Sequence, residues 1–149
     1  MYRKVLIGLD LSQESKQVVA RAREVLPAAA EIHLVNVFEP LDAVYFGVVP
    51  YAPVMGGTDN FEDSVRKQMR ERLDELGEAY QIPDEQRHLL TGSPAAEIRK
   101  MADENDFDLI IVGTHGRAGV RLLLGSTANA VLHGVKCDVL AVRIDDPEE

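Results

Sequence analysis

Four glycines follow one another at short intervals in the last third of the chain: Gly113, Gly116, Gly119 and Gly125. They lie between the apolar run 110–112, which predicts a buried parallel strand, and Ser126-Thr127, which predict the start of a helix. Glycine allows backbone N–H groups to approach a ligand closely. A helix N-terminus adds unpaired N–H donors, which favour an anion. The arrangement therefore predicts a cradle for the phosphates of a nucleotide.

The spacing of these glycines differs from two common phosphate-binding motifs. No Gly-Lys-Ser or Gly-Lys-Thr follows them, so the loop is not a P-loop. No Gly-x-Gly-x-x-Gly is present either, so it is not a Rossmann fingerprint. Glycines in a strand-to-helix turn also serve plain steric needs. From the residues alone, the phosphate cradle and the steric turn remain alternatives.

The length and charge of the chain limit what it can be. It has 149 residues and a formal net charge of −9. This length predicts one domain, residues 1–149. The negative charge repels nucleic acid and anionic membrane surfaces, so we expect neither as a partner. The glycine loop is an exception, because it carries Arg117 and Arg121 and no acid, which suits a small phosphorylated ligand.

Three features of the sequence concern the compartment of the protein. No apolar run approaches the roughly 20 residues that span a bilayer. The first residues lead straight into a predicted strand and lack the apolar core of a signal peptide. The single cysteine, Cys137, cannot form an internal disulfide. Together these features predict a protein of the reducing cytoplasm.

Strand-like and helix-like segments alternate along the chain. Strands are predicted at 4–10, 31–38, 86–90, 110–112 and 138–144, and helices at about 12–26, 61–80, 93–102 and 126–135. Ser12 is the predicted N-cap of the first helix. This alternation predicts an α/β fold, a single doubly wound five-stranded parallel sheet with helices on both faces. Ligands bind such sheets beyond the carboxyl ends of the strands. Asp10, Val37 and Gly113 all lie at predicted strand ends.

The segment 39–60 is too long for a simple connection between two elements. Apolar side chains such as Tyr45, Phe46 and Met55 make it too apolar for a disordered linker. A connection of this length predicts a functional or interfacial segment. We expect it to cover either the binding cleft or a partner subunit.

The glycine loop resembles a known signature. Gly113-x-x-Gly116, eight further residues and then Gly125-Ser126 are similar to the ATP-binding signature of the universal stress protein family. That signature usually has nine residues between the second glycine and the Gly-Ser pair, so this loop is one residue shorter. The resemblance covers nearly the whole chain, from the first strand to the last. It implies an adenine nucleotide, ATP or AMP, as the ligand, with Mg²⁺ arriving on the phosphates of ATP.

The resemblance also implies the strand order 3-2-1-4-5, which places Asp10 beside the glycine loop. Leu9 and Asp10 at the end of the first strand, together with Val37 and Val112, are expected to line the adenine pocket. Asp10 could equally cap the following helix, and Val37 could be plain core. Ribose and phosphates are expected at a further set of residues: Gly113, His115, Gly116, Gly125, Ser126 and Thr127. Arg117 is expected to screen phosphate charge at the rim of the loop.

The last strand predicts a homodimer. Residues 139–142 form a continuous apolar run, yet the strand order implied by the resemblance places them at an edge of the sheet. An exposed apolar edge pairs with another chain unless it is protected. Antiparallel pairing of two copies about a two-fold axis would close this edge.

The sequence favours a binding protein over an enzyme. No Cys or Ser nucleophile is placed near His115, so we do not expect this histidine to be catalytic. The four histidines at 33, 88, 115 and 133 lack the spacing of metal ligands. Two alternatives stay open. One is slow ATP hydrolysis, and the other is a universal stress protein that binds no nucleotide and acts through protein–protein interaction.

Overall fold

The computed structural model describes residues 1–39, 58–114 and 126–144. Its strands are β1 Lys4–Gly8, β2 Glu31–Phe38, β3 Arg87–Thr91, β4 Leu109–Gly113 and β5 Asp138–Val142. Its α-helices are α1 Ser15–Val25, α2 Thr58–Ala79, α3 Pro94–Glu104 and α4 Ser126–Leu132. A single 3-10 turn in this part of the chain, Asp84–Gln86, precedes β3. The predicted alternation of strands and helices is confirmed, with boundaries that move by a few residues.

The five strands form one sheet in the order β3-β2-β1-β4-β5. Every neighbouring pair is parallel. This confirms the predicted fold class and the order 3-2-1-4-5. Because all strands run the same way, their carboxyl ends lie along one edge of the sheet.

Two apolar layers cover the two faces of the sheet. Val5 and Ile7 of β1 pack on one face with α1 and α2, whereas Leu6 packs on the other face with α3 and α4. All three side chains have no exposed surface. Side chains alternate between the faces of a strand, so a central strand that is apolar at every position requires helices on both sides. The predicted placement of helices is therefore confirmed.

Charged side chains attach α2 to the edge strand β3. Arg87 of β3 contacts the Asp74 carboxylate at 3.3 Å, and Arg70 contacts the Asp84 carboxylate at 2.8 Å. A Cβ atom on Gly77 would lie 2.2 Å from Nε of Arg87, so the glycine makes room for this guanidinium. The arrangement fixes α2 against the sheet on the side away from β5.

The start of α1 differs from the prediction. Ser12 was expected to cap this helix, but the helix begins at Ser15, and the preceding Glu14 makes no side-chain cap. Within the described ranges, no helix is long and apolar enough to cross a membrane. The expectation that the segment after β2 covers a cleft or a partner falls mostly on residues 40–57, outside the described residues.

Candidate functional site

The carboxyl ends of β2, β1 and β4 lie side by side. β1 pairs with β2 through Gly8 and Val35, and with β4 through Ile7 and Ile111. From β1 the chain winds outward through β2 to β3, and from β4 it winds outward to β5 on the other side. The order therefore reverses between β1 and β4, which is the switch point where ligands bind in sheets of this kind. The predicted juxtaposition of Asp10 with the end of β4 follows from this order.

The turn after β1 is held by the Asp10 carboxylate. Its Oδ1 atom accepts the Ser12 N–H at 2.9 Å and the Ser15 hydroxyl at 3.3 Å. Leu11 lies between them with φ of 60°, a left-handed conformation that is costly for a branched side chain. Its side chain is buried in the layer beneath α1, which holds the strained residue in place. Asp10 thus stabilises the turn that leads from β1 into α1.

Gly113 lies against the side chain of Ile144. A Cβ atom at this position would lie 2.5 Å from Cδ1 of Ile144. The next residue, Thr114, donates its N–H to the Val142 carbonyl at 3.0 Å, and its hydroxyl accepts the Ile144 N–H at 3.2 Å. These contacts fix the point where the chain leaves β4 for the glycine loop. A larger residue at position 113 would therefore require the end of the Ile144 side chain to move. Access of a ligand to the backbone of Gly113 is a separate proposal.

The structure describes part of the predicted site. Leu9, Val37 and Val112 are all buried at the ends of their strands. α4 begins at Ser126, close to the predicted helix start, and includes Thr127. The remaining predicted residues, His115, Gly116, Arg117 and Gly125, lie outside the described residues. Their assignment to ribose and phosphates stays a prediction.

A cavity of about 540 Å³ opens between the start of α1 and the second half of α2. Leu11 and Ser12 of the Asp10 turn line one side of it, and Arg72 and Glu75 of α2 line the other. The Asp10 turn therefore forms part of the wall of this cavity. It offers a second place, on the α1 side of the turn, where a small molecule could bind.

The structure also brings together two histidines that sequence spacing did not connect. Nδ1 of His33 on β2 lies 2.9 Å from Nε2 of His88 on β3, and Nε2 of His33 lies 2.5 Å from the Glu31 carboxylate. The parallel pairing of Leu34 with Arg87 places the two histidines on one face. No cluster of three or more His, Cys, Asp or Glu that could hold a metal occurs within 1–39, 58–114 and 126–144. The pair is a hydrogen-bonded relay near the amino end of β2, away from the candidate site.

Protonation of His88 is opposed by its surroundings. Burial lowers the pKa of His88, and the positive charges of His33, Arg70 and Lys4 lower it further. The hydrogen bond from His33 lowers the pKa of the Glu31 carboxyl. Two histidines joined through Nδ1 and Nε2 share one hydrogen. Protonating both would place two N–H groups against each other.

The fold and the switch-point site define a doubly wound α/β domain of the kind that binds small ligands at its carboxyl edge. The chain matches the family described as "Universal stress protein family" over residues 1–143. It is 38% identical over 142 residues to universal stress protein A homolog 1 of Coxiella burnetii, covering 95% of this chain and 96% of that protein. It is 39% identical over 145 residues to homolog 2 of the same organism, covering 96% of each. The chain therefore belongs to the universal stress protein family.

Two solved structures resemble this one. The hypothetical protein MJ0577 superimposes with a TM-score of 0.81 at 20% identity, covering 98% of this chain and 99% of that chain. This likeness concerns the fold. A universal stress protein in complex with cAMP superimposes with a TM-score of 0.57 at 26% identity, covering 95% of this chain and 97% of that chain.

We predict that the free energy of unfolding falls as the pH drops below about 6.5, the ordinary pKa of histidine. The folded state keeps His88 neutral because its pKa is lowered, whereas the unfolded chain takes up the proton. The stabilisation is complete above pH 6.5 and is lost as the pH falls through the lowered pKa. Urea unfolding at pH 7.5 and 5.5 measures the difference, and His88→Leu should reduce it. The exposed His133 supplies the control His133→Leu; an equal effect of both variants would contradict the assignment.

Proposed function

We propose that this universal stress protein binds an adenine nucleotide at the carboxyl edge of β2, β1 and β4 and acts as a regulatory binding protein in the stress response. The observation that carries the proposal is the adjacency of these three strand ends at the point where the strand order reverses. The relative that was solved in complex with cAMP supports an adenine nucleotide as the ligand class.

The base would be recognised by the backbone of Val37. In β2 the Val35 carbonyl accepts the Leu9 N–H on the β1 side, and the Phe38 carbonyl accepts the Gly92 N–H on the β3 side. Neighbouring residues of a strand thus direct their polar groups to opposite sides, and Val37 directs its N–H and C=O to the β1 side. β1 has ended at Gly8 by this level. The Val37 pair therefore faces the space beyond β1, where it can pair with N1 and the amino group of adenine.

The phosphates would lie over the glycine loop and the start of α4. Gly116 and Gly125 let the loop backbone approach an anion, and the first N–H groups of α4 from Ser126 add donors. Arg117 supplies a positive charge on a protein whose net charge is −9. Magnesium bound with ATP would be held through phosphate oxygens and water.

The described residues support binding more than turnover. The Asp10 carboxylate is engaged by Ser12 and Ser15, which suits a structural role better than that of a free general base. Slow ATP hydrolysis remains the enzymatic alternative, because magnesium on a bound γ-phosphate polarises it. A turnover near ordinary enzyme values, about 10 s⁻¹, would favour that alternative.

We expect ATP or AMP to raise the melting temperature, and GTP to raise it less. A ligand at 100 times its dissociation constant stabilises a fold by about 2.7 kcal/mol. Gly116→Val should abolish the shift, because a branched side chain would stand where the backbone meets phosphate. Gly119→Val, in the same loop but outside the signature, is the matched control and should keep most of the shift. Thermal unfolding without a shift for ATP, AMP and cAMP would support the branch of the family that binds no nucleotide.

We also propose that the protein forms a homodimer through β5. This strand is at the edge of the sheet, and its Val139 and Leu140 pack against opposite apolar layers. The Val142 carbonyl accepts the Thr114 N–H from the β4 side. Because polar groups alternate along the strand, Leu140 also faces β4, whereas Val139 and Ala141 direct theirs to the open edge. A second copy running antiparallel would pair with these groups.

Ala141→Pro should convert the dimer to a monomer, because proline removes an N–H donor from the open edge only. Ala141→Ser keeps that donor and should leave the dimer intact. Light scattering at micromolar protein concentration gives the mass of each. A monomeric wild type, or an Ala141→Pro variant that stays dimeric, would refute pairing through β5.

A further inference from the structure

Asn36 is a polar residue inside the apolar strand β2. Only 2% of its surface is exposed, and both neighbours, Val35 and Val37, are buried. Val35 and Val37 belong to the layer beneath α3 and α4, so the alternation of the strand places Asn36 on the face of α1 and α2. An aliphatic side chain at this position would avoid the cost of burying an amide. The presence of asparagine therefore requires an explanation other than core packing.

The two polar atoms of the Asn36 amide differ in their hydrogen bonding. Nδ2 donates a hydrogen bond to the Leu9 carbonyl at 2.8 Å. Oδ1 is buried without a hydrogen-bond partner, and it is the one such side-chain atom found within the described residues. Leaving a buried acceptor unpaired costs about 1–3 kcal/mol. The bond from Nδ2 to Leu9 is thus kept although the other polar atom of the amide is left unpaired.

The hydrogen bond from Asn36 Nδ2 to the Leu9 carbonyl lies where the backbone hydrogen bonds between β1 and β2 would otherwise continue. The Leu9 N–H donates to the Val35 carbonyl at 2.9 Å, as a regular parallel ladder requires. In a continued ladder, the Leu9 carbonyl would next accept the N–H of Val37. The paired register instead ends at Gly8 and Val35. The Asn36 side chain donates to the Leu9 carbonyl in place of the Val37 N–H.

We propose that Asn36 is a positioning residue that keeps the Val37 N–H out of the β1–β2 ladder and thereby directs it to the base of a bound nucleotide. This inference rests on the proposed function. Asn36 acts through Leu9 and Val37 and needs no contact with the ligand. The Asn36 amide donates to the Leu9 carbonyl, so the Val37 N–H does not pair with that carbonyl. The Val37 N–H is then available to an acceptor atom of the ligand.

The consequence is selectivity for the class of base. A strand residue that offers one N–H donor and one C=O acceptor matches the acceptor N1 and the amino donor of adenine. Guanine presents a carbonyl acceptor and an N–H donor at the corresponding positions, so its order is reversed. If Val37 were drawn back to Leu9, the adenine acceptor would lose its partner, and phosphate contacts would be unaffected.

The test replaces Asn36 by a side chain of similar shape without the donor. Asn36→Leu should lower the affinity for ATP by about tenfold, the effect of losing one hydrogen bond. Affinity for inorganic tripolyphosphate should not change, because the phosphate contacts are unaffected. Guanine does not accept from the Val37 N–H, so the affinity for GTP should change less than that for ATP, and the ratio of ATP to GTP affinity should fall. Leu34→Val, buried on the same strand and face, should alter stability without altering this ratio. Isothermal titration calorimetry measures all three ligands, and Asn36→Ala serves if leucine does not fit. An unchanged ATP to GTP ratio in the Asn36 variants would overturn the proposal.

A second measurement needs no nucleotide. The NMR coupling across a hydrogen bond, from the Val37 amide nitrogen to the Leu9 carbonyl carbon, should be absent in the wild type and present in Asn36→Leu. A coupling already present in the wild type, or absent from the variant, would overturn the positioning role. If the wild type binds neither ATP nor GTP, the proposed function fails, and the coupling still decides whether Asn36 controls the Val37 N–H.

Discussion

The structure depends on the burial of β1 between two layers of helices. Val5, Leu6 and Ile7 are completely removed from solvent, and each is paired on both sides by a parallel neighbour. A parallel strand with no exposed face must direct successive side chains into separate cores. Once β1 is fixed in this way, β2 and β4 must lie beside it with their carboxyl ends at one edge. The location of the candidate site follows from this constraint and not from any one binding residue.

The sequence allowed the architecture to be predicted because its signals are local and redundant. The run 31–38 was predicted with the bounds that β2 has, and the alternation of elements was enough to establish a doubly wound sheet. The strand order came from the family resemblance, since no local pattern states which strands are neighbours. The prediction of Ser12 as a cap was wrong, although serine before an apolar helical stripe is typical of a helix start. The Asp10 carboxylate accepts the Ser12 N–H within a turn, and the helix begins later, at Ser15.

The site could be predicted only in part, because its decisive features are long-range. Outside the site, the hydrogen bonds that join Glu31, His33 and His88 also require the register of two strands separated by α2. The close approach of Ile144 to Gly113 likewise joins β4 to the chain after β5. Asn36 carried a signal that could have been noticed, an amide inside an otherwise apolar strand, but its partner at Leu9 is visible only in three dimensions.

The central claim is that an adenine nucleotide binds at the carboxyl edge of β2, β1 and β4. Amide chemical shifts of the nitrogen-15-labelled protein, recorded during titration with ATP, test this most directly. If the nucleotide binds there, the largest changes should occur at Leu9, Asp10, Val37 and Thr114, with little change at the amino end of β2. Changes centred on Arg72 and Glu75 would place the ligand in the cavity between α1 and α2 and contradict the account, as would a spectrum that ATP leaves unaltered.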